Sequence, residues 1–286
     1  MSGEPVVVLG GSGRLGRRFR AVLAGDRWRR VINVDPREPA AFPDDLEGFA
    51  LVVLAAKITL EAGGEGLTAV EDLLATNAFA PVHFAAAHAG RVTRLVFASS
   101  LEIYGDAPDA APLREEAPAR PTTAYGISKL LGEHATRLYC RDHGIPWVAL
   151  RYGSLYGAED DLANALVGFL ALAVRGAPIE LHGDGSGTRS YLHLDDAAGA
   201  LLAALTHSES EVFNAAHPRP VTLRELADTA VAVAGRGHVI YTHPEARTAH
   251  RALDAGKLRL LPYAPAIDVA EGMRRRLTLL RERGLA

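Results

Sequence analysis

The stretch Val6–Gly16, which reads VVVLGGSGRLG, decides the fold of this 286-residue chain. Its first half is a short aliphatic and β-branched run, typical of a buried parallel strand. Its second half carries the pattern Gly10-x-x-Gly13-x-x-Gly16 where a helical pattern begins. Glycine permits a tight turn and a close approach of the backbone to a pyrophosphate at the positive end of the following helix. The stretch therefore predicts the first strand, turn and helix of a dinucleotide-binding domain.

A carboxylate stands where such a domain needs one. Asp35 ends the second apolar run, nineteen residues beyond Gly16. There it can accept hydrogen bonds from the adenosine ribose hydroxyls and repel a 2′-phosphate, so NAD is the predicted cofactor. Arg14 and Arg37 favour the opposite interpretation, because either could pair with that phosphate, and NADP is kept as the less favoured cofactor.

Short apolar runs alternate with helical patterns through the first two thirds of the chain. The runs are Val6–Leu9, Val31–Val34, Leu51–Leu54, Leu95–Ala98 and Trp147–Leu150, and the helical patterns between them cover Arg14–Ala24, Gly66–His88 and Thr123–His143. This alternation predicts an α/β fold: a Rossmann-type, doubly wound parallel sheet with a smaller C-terminal substrate-binding lobe. We expect residues 1–155 to form the dinucleotide-binding domain, with some later segments returning to it, and residues 156–286 to form mainly the lobe.

One segment is too short for the usual crossover. The residues between Asp35 and Val52 are too few for two further elements, and three prolines interrupt them. The sheet is therefore predicted to have lost a strand and a helix there, or to have kept only a vestige of them. Beyond residue 151, short strands are predicted at Ile179–Leu181, Glu211–Asn214 and His238–Tyr241, and they are assigned to the smaller lobe.

The composition argues against a nucleic-acid-binding, membrane-bound or metal-binding protein. Hydrophobic residues make up 48% of the chain, charged residues 23%, and the formal net charge is −3, so no basic field predicts nucleic acid or an anionic membrane as a partner. Cys140 is the only cysteine, and the histidines have no metal-binding spacing, so no metal site is expected. No signal peptide or long apolar segment is apparent, and we expect a cytoplasmic protein without membrane association.

Several further motifs carry a resemblance to a known family. Ser99-Ser100 precedes Ile103-Tyr104-Gly105, and Tyr125 and Lys129 stand four apart in YGISK, on one face of a helix. Later stretches read RYGSLYG at 151–157 and GDGSGTR at 183–189. In these motifs the chain resembles the extended short-chain dehydrogenase/reductase family, and within it the NAD-dependent epimerase/dehydratase branch that modifies sugar nucleotides. The resemblance covers almost the whole chain.

The resemblance implies roles for individual residues. Tyr125 would take a proton from a sugar hydroxyl, Lys129 would hold the nicotinamide ribose and lower the pKa of the phenol, and Ser100 would hydrogen-bond the reacting oxygen. These three are the predicted catalytic residues. The predicted cofactor-binding residues are Gly10, Gly13, Arg14, Leu15, Gly16, Asp35, Ala55, Ala56, Asn77, Tyr125 and Lys129.

The same resemblance implies a UDP- or dTDP-sugar as substrate. Arg189 matches an arginine that pairs with the substrate diphosphate, as a guanidinium fork suits phosphate. Ser154 stands where the family has an asparagine. Arg247 is a candidate for a second arginine that binds the diphosphate. The alternative for Arg247, and for Arg251, is that the residue lies at the surface without a role in binding. The predicted substrate-binding residues are Lys57, Ser100, Glu102, Tyr125, Ser154, Arg189 and Arg247.

The reaction is predicted to be a 4-epimerisation through a transient 4-keto sugar, because that needs only the Ser-Tyr-Lys set and a retained NAD. Glu102 matches a dehydratase residue, but Leu101 replaces its polar partner, which argues against 4,6-dehydration. The alternatives are an NAD(P)H-dependent keto-sugar reductase or sugar dehydrogenase, a UDP-uronate decarboxylase and, more remotely, a non-catalytic dinucleotide sensor. The helical patterns at Gly66–His88 and Thr123–His143 match those that pair in dimeric relatives, so a homodimer is expected.

Overall fold

The computed structural model describes residues 3–25, 30–35, 42–43, 45–54, 67–107, 111–157, 164–246 and 249–285. Its strands are β1 (Val6–Leu9), β2 (Val31–Val34), β3 (Phe49–Val53), β4 (Val92–Ser100), β5 (Trp147–Tyr152), β6 (Ser154–Tyr156), β7 (Pro178–His182), β8 (Thr188–Arg189), β9 (Tyr191–His193), β10 (Glu211–Ala215), β11 (Val221–Thr222) and β12 (His238–Thr242). Its helices are α1 (Arg14–Ala24), α2 (Leu67–Leu74), α3 (Ala80–Ala87), α4 (Ala124–Asp142), α5 (Ala165–Val174), α6 (Leu194–Thr206), α7 (Leu223–Ala234) and α8 (Val269–Glu282). A π-helical turn, Ala75–Phe79, joins α2 to α3, and 3₁₀ turns cover Leu101–Ile103 and Gly256–Leu260.

A six-stranded parallel sheet forms the centre of the molecule, in the order β10-β5-β4-β3-β1-β2. The predicted Rossmann-type α/β fold is confirmed. β2 lies at the edge, and within the described part of the chain no strand continues the sheet beyond it. Of the segment after Asp35 to which the predicted loss of a strand and a helix refers, residues 36–41 and 44 lie outside the described residues, so the loss stays a prediction. The middle strands are longer than their apolar runs, because β4 extends to the polar pair Ser99-Ser100 while its ladder to β5 continues.

Alternate residues of the strands fill two hydrophobic cores, one on each face of the sheet. Val6 and Val8 of β1 pack with residues of α1 and α6, whereas Val7 and Leu9 pack with residues of α3 and α4. The sheet is therefore covered by helices on both faces, and its strands read as continuous apolar runs. The polar carboxyl ends of these strands meet at one edge.

The smaller lobe has its own core, to which α5, α7 and α8 contribute together with strands β7 and β9. β7 pairs with β12, β6 with β9 and β8 with β11. The expected assignment of Glu211–Asn214 to this lobe is wrong, because β10 pairs in parallel with β5 at the edge of the main sheet. A parallel partner needs a long crossover, and α6 supplies it by packing beside α1. The division of the chain near residue 155 stays a proposal.

Among the helices in the described ranges, none combines the length and the apolar character needed to span a membrane. Within the same ranges, no group of three or more His, Cys, Asp or Glu side chains is placed to hold a metal ion.

Candidate functional site

The candidate site lies where β4 and β5 end. Ser100 is the last residue of β4 and pairs in register with Tyr152 at the end of β5. Its hydroxyl caps the following 3₁₀ turn by accepting a hydrogen bond of 3.2 Å from the backbone N–H of Glu102. This turn stops the strand, so the Ser100 hydroxyl stays at the carboxyl edge of the sheet, where such folds bind their ligands.

Helix α4 is seated against this edge through two glycines. Thr123 begins the helix by accepting a hydrogen bond of 3.0 Å from the N–H of Gly126. A Cβ on Gly126 would lie 2.5 Å from the carbonyl oxygen of Glu102, and one on Gly132 would lie 2.4 Å from that of Asn77. Any side chain at either position would force the helix away from its neighbours. The glycines therefore allow the close approach that places Tyr125 beside Ser100.

Tyr125 projects from the first turn of α4 and shares a side-chain hydrogen bond with Ser100. Burial raises the pKa of the Tyr125 phenol to about 12, the hydrogen bond with Ser100 acts against this rise, and the nearby charge of Glu102 adds to it. The phenol therefore keeps its proton at neutral pH, and a further positive charge is needed before it can give that proton up easily.

Lys129 lies one turn further along α4 and is 1% exposed. Its Nζ lies 4.4 Å from the centroid of the Phe97 ring and has no hydrogen-bond partner among the described residues. Burial lowers the pKa of Lys129 to about 7, although the charge of Glu133 opposes this. A buried amine without acceptors is costly, and the hydroxyls of a nucleotide ribose are acceptors of the right chemistry. Lys129 thus fits the dinucleotide that the glycine pattern predicts.

Asn77 lies in the π-helical turn and is fully buried against α4. Its Nδ2 donates to Ser128 Oγ at 2.9 Å, and Ser128 Oγ donates to the carbonyl of Tyr125 at 2.8 Å. This short relay connects the π turn to the helical turn that carries Tyr125 and Lys129. The structure thus places Asn77 beside Ser128, in the same helix as Tyr125 and Lys129.

A buried ionic network, which the sequence analysis missed, lies behind the site. Arg151 makes a bidentate pair with Glu133, with Nη2 2.6 Å from Oε1 and Nε 3.2 Å from Oε2. Its Nη1 also donates to Tyr104 Oη at 2.7 Å, and Tyr104 donates to Asn214 Oδ1 at 2.8 Å. Burial alone would lower the pKa of Arg151, but its bonds to Glu133 and Tyr104 raise it overall. The sequence held one signal: Glu133 follows Lys129 by four residues and so shares its helix face.

Glu102 does not stand free at the site. Its Oε1 accepts a hydrogen bond of 2.7 Å from Arg251 Nη1, and Arg251 Nε donates to Asp106 at 2.6 Å. Arg251 also forms a backbone bridge with Arg189. The Arg251 side chain is 27% exposed and pairs with two carboxylates, so it is partly buried rather than fully solvated.

The remaining predicted residues divide into three groups. Gly10 and Gly13 form the turn after β1, and Arg14, Leu15 and Gly16 begin α1, while Asp35 directly follows β2 at the same edge of the sheet. In the smaller lobe, Ser154 begins β6, and Arg189 in β8 donates through Nη1 to the carbonyls of Thr188 and Ala249. Ala55, Ala56, Lys57 and Arg247 lie outside the described residues.

Comparison with known proteins agrees with this arrangement. Residues 6–216 match the model of the NAD dependent epimerase/dehydratase family. A protein of Methanocaldococcus jannaschii is 34% identical over 190 residues, which are 64% of this chain and 62% of that protein. The UDP-glucose 4-epimerase of Azospirillum brasilense is 34% identical over 164 residues, which are 50% of this chain and 47% of its own. The matched segments thus span less than two thirds of these relatives.

Solved structures share the whole fold. The UDP-glucose 4-epimerase of Thermotoga maritima, with UDP-glucose, superposes with a TM-score of 0.80 at 22% identity, over 98% of this chain and 99% of that one. The UDP-glucose 4-epimerase of Thermus thermophilus, in complex with NAD, gives 0.76 at 25% identity over 97% and 99%.

The family match covers more than half of the chain and begins at residue 6, where β1 leads into the glycine turn. It ends just beyond β10, the last strand of the central sheet. On this evidence the chain belongs to the NAD-dependent epimerase/dehydratase family and is an enzyme that uses NAD.

Proposed function

We propose that this enzyme is a sugar-nucleotide 4-epimerase, which inverts a UDP- or dTDP-sugar at C4 through a transient 4-keto sugar. The observation that carries the proposal is the arrangement at the start of α4. Tyr125 is hydrogen-bonded to Ser100. One helical turn away lies the buried amine of Lys129, which has no hydrogen-bond partner in the described part of the chain. In this proposal a proton is held and moved at the Tyr125 hydroxyl, and the charge of Lys129, on the same helix face, stabilises the phenolate.

Four residues of the chain have separate roles in the proposed reaction. Ser100 Oγ positions the sugar hydroxyl, and Tyr125 Oη removes its proton and returns it after the sugar has turned. Lys129 holds the nicotinamide ribose and, as a cation, lowers the pKa of Tyr125. Asn77 supports the same helical turn through Ser128. Bound NAD supplies the hydride acceptor and donor, and an epimerase returns it unchanged.

The Glu102 carboxylate favours epimerisation over elimination. A dehydratase needs a base for a carbon-bound proton next to the Ser-Tyr pair, and Glu102 is the carboxylate nearest that position in sequence. Its Oε1 is bonded to Arg251 at 2.7 Å, and the guanidinium is fixed from its other side by Asp106. Glu102 Oε1 is therefore occupied by a charge-assisted hydrogen bond and is not free to approach a carbon-bound proton. An epimerase needs no such base.

On the substrate side, we propose that Arg189 holds the diphosphate, with Ser154, Lys57 and Arg247 as further contacts. The bonds from Arg189 Nη1 to the carbonyls of Thr188 and Ala249 fix its guanidinium in the smaller lobe. The name of the Azospirillum relative, UDP-glucose 4-epimerase, supports a UDP-sugar. We place the enzyme in the cytoplasm, where sugar nucleotides are available.

The test is a product assay with an inactive control. The purified enzyme is denatured, and released nucleotide is identified by mass spectrometry; near-stoichiometric NAD is expected. The intact enzyme is then given UDP- and dTDP-sugars, and anion-exchange chromatography separates the C4 epimers. Tyr125→Phe should lose about 10²–10⁴-fold in kcat while NAD binding is unchanged.

Each other function gives a distinct result. An enzyme without bound nucleotide that prefers NADPH and reduces a keto sugar is a reductase, which would overturn the proposal. Release of CO2 from a UDP-uronate identifies a decarboxylase. A sensor would bind NAD normally and show no turnover in either the wild type or Tyr125→Phe.

We also propose that the enzyme is a homodimer through α4. Ile127, Leu131 and Leu138 are 50%, 38% and 50% exposed, and their spacing of four and seven places them on one helix face. Phe79 of the adjacent π turn is 45% exposed. Leu131→Lys combined with Leu138→Lys should shift the mass in light scattering from dimer to monomer. Leu260→Lys, at a position 68% exposed elsewhere, is the matched control and should leave the dimer intact.

A further inference from the structure

A cavity separate from the Ser100–Tyr125–Lys129 site lies between α1 and α8, where α6 begins. Its volume is about 860 Å³, within the range of small-molecule sites, and it is open to solvent. None of the predicted catalytic residues Ser100, Tyr125 and Lys129 lines it, whereas Arg14, one of the predicted cofactor-binding residues, does. We name it the arginine groove, because its arginines come from two helices: Arg14, Arg17 and Arg18 of α1, and Arg275 and Arg276 of α8. Asp195 of α6 also lines it.

The charge of this groove is opposite to that of the whole chain. Among the described residues that line it, five arginines face a single carboxylate, Asp195, although the chain carries a net charge of −3. His193 also lines the groove, but burial lowers its pKa, so it adds little charge at neutral pH. A cleft lined by one sign of charge concentrates ions of the opposite sign.

Three of the five arginines, Arg17, Arg18 and Arg275, are held in place by hydrogen bonds. Asp195 lies between the two helices and accepts a hydrogen bond from Arg18, while Arg275 Nη1 lies 3.7 Å from its other oxygen. Arg17 is anchored by a bond of 2.8 Å from Nη1 to the carbonyl of Ser12, and Glu271 accepts from Arg275 Nε at 2.8 Å. Each guanidinium has five N–H donors, and these bonds engage only some of those of Arg17 and Arg18.

We propose that the arginine groove binds a small anion with a chain of two or more phosphates, such as a nucleoside triphosphate, at a site distinct from the catalytic one. Guanidinium groups pair with phosphate oxygens through parallel N–H donors, and cations on both walls suit an anion with several charges in a row. Asp195 bridges the two walls, because its carboxylate contacts Arg18 on one wall and Arg275 on the other. A single carboxylate or sulfate would engage one wall only.

The experiment is calorimetric titration of the full chain with inorganic tripolyphosphate and, separately, ATP. NAD and UDP are present at saturation, so that the dinucleotide and proposed sugar-nucleotide positions are filled. One bound anion per chain is expected. Arg17→Ala and Arg276→Ala should each weaken it about tenfold or more, since each removes a charge-assisted hydrogen bond. If ATP binds more tightly than tripolyphosphate, the nucleoside also contacts the groove; equal affinity assigns recognition to the phosphate chain.

Matched controls lie on the same two helices. Arg20→Ala on α1 and Arg274→Ala on α8 remove the same charge but do not line the groove; Arg20 lies beside Gly11, and Arg274 pairs with Glu271. Both should bind the anion as the wild type does. Equal losses in all four variants would show unspecific attraction, and displacement of the anion by NAD or UDP would place it in the established cleft. Either result, or no binding at all, overturns the proposal; circular dichroism confirms that each variant is folded.

Discussion

Lys129 and Arg151 are two buried basic residues near the same carboxylate, Glu133, yet their pKa values shift in opposite directions. Arg151 has two bonds to Glu133, one to Tyr104 and one to the carbonyl of Glu115, and its pKa is raised. Lys129 has no hydrogen-bond partner within the described residues, and its pKa is lowered to about 7. Burial acts on both in the same direction, so the difference comes from their partners.

This difference separates a structural charge from a functional one. A buried ion pair with complete hydrogen bonds adds rigidity. Removing one member is destabilising, because the other charge stays buried without a counterion. A buried amine without acceptors lowers the stability of the protein alone and is satisfied only when a ligand brings acceptors. Arg151 therefore fixes α4 to the end of β5. Lys129, in contrast, gains hydrogen-bond acceptors only when the dinucleotide binds.

The largest effect is expected from breaking the complete pair. Glu133→Gln keeps the shape of the side chain but leaves the Arg151 charge buried without a counterion. The free energy of unfolding, measured in urea, should fall by about 3–5 kcal/mol. Asp142→Asn, in the exposed pair with Arg141, is the control and should change it by less than about 1 kcal/mol. Equal small losses in both variants would contradict a structural role for Arg151.

The second prediction replaces each cation by the same apolar side chain. Arg151→Met should lower the free energy of unfolding, because Glu133 loses its partner. Lys129→Met should leave it unchanged or raise it in the NAD-free protein, because an unsatisfied amine is removed. Turnover of Lys129→Met should nevertheless fall on the order of 10²-fold, since the cation that stabilises the Tyr125 phenolate is lost. Destabilisation by both substitutions would remove the distinction between the two sites.

The third prediction concerns pH. The folded protein binds the Lys129 proton with a pKa of about 7, whereas an unfolded chain binds it with a pKa of about 10.4. Between these values the unfolded state holds one more proton, so this residue makes the NAD-free protein more stable as pH rises, and the gain is lost as pH falls through 7. Urea unfolding of the wild type minus Lys129→Met should show this slope. NAD should flatten it, because acceptors at Nζ favour the charged form.

The sequence analysis found the parts of the site that have a local signature. The glycine turn, Ser100 and the Tyr125–Lys129 pair each belong to one short segment, and strand, turn and helix fix their direction. The pairing of Glu102 with Arg251 joins residues 149 positions apart, and that of Arg151 with Glu133 depends on how α4 lies against β5. No local pattern encodes such contacts. The assignment of Glu211–Asn214 failed for the same reason, since a short apolar strand does not reveal which sheet it joins.

The smallest effect is expected from the hydrogen-bond relay from Asn77 through Ser128, which supports the helical turn that carries Lys129. Ser128→Ala removes the acceptor of the Asn77 Nδ2 bond, and should lower the free energy of unfolding by about 1 kcal/mol. Thr229→Ala, which removes a hydroxyl from the exposed face of helix α7, should cost less than about 0.5 kcal/mol. If Asn77 orders the turn beside Lys129, Ser128→Ala also weakens NAD binding a few-fold, measured by fluorescence, while Thr229→Ala does not. Equal NAD affinity in both variants would restrict the relay to folding.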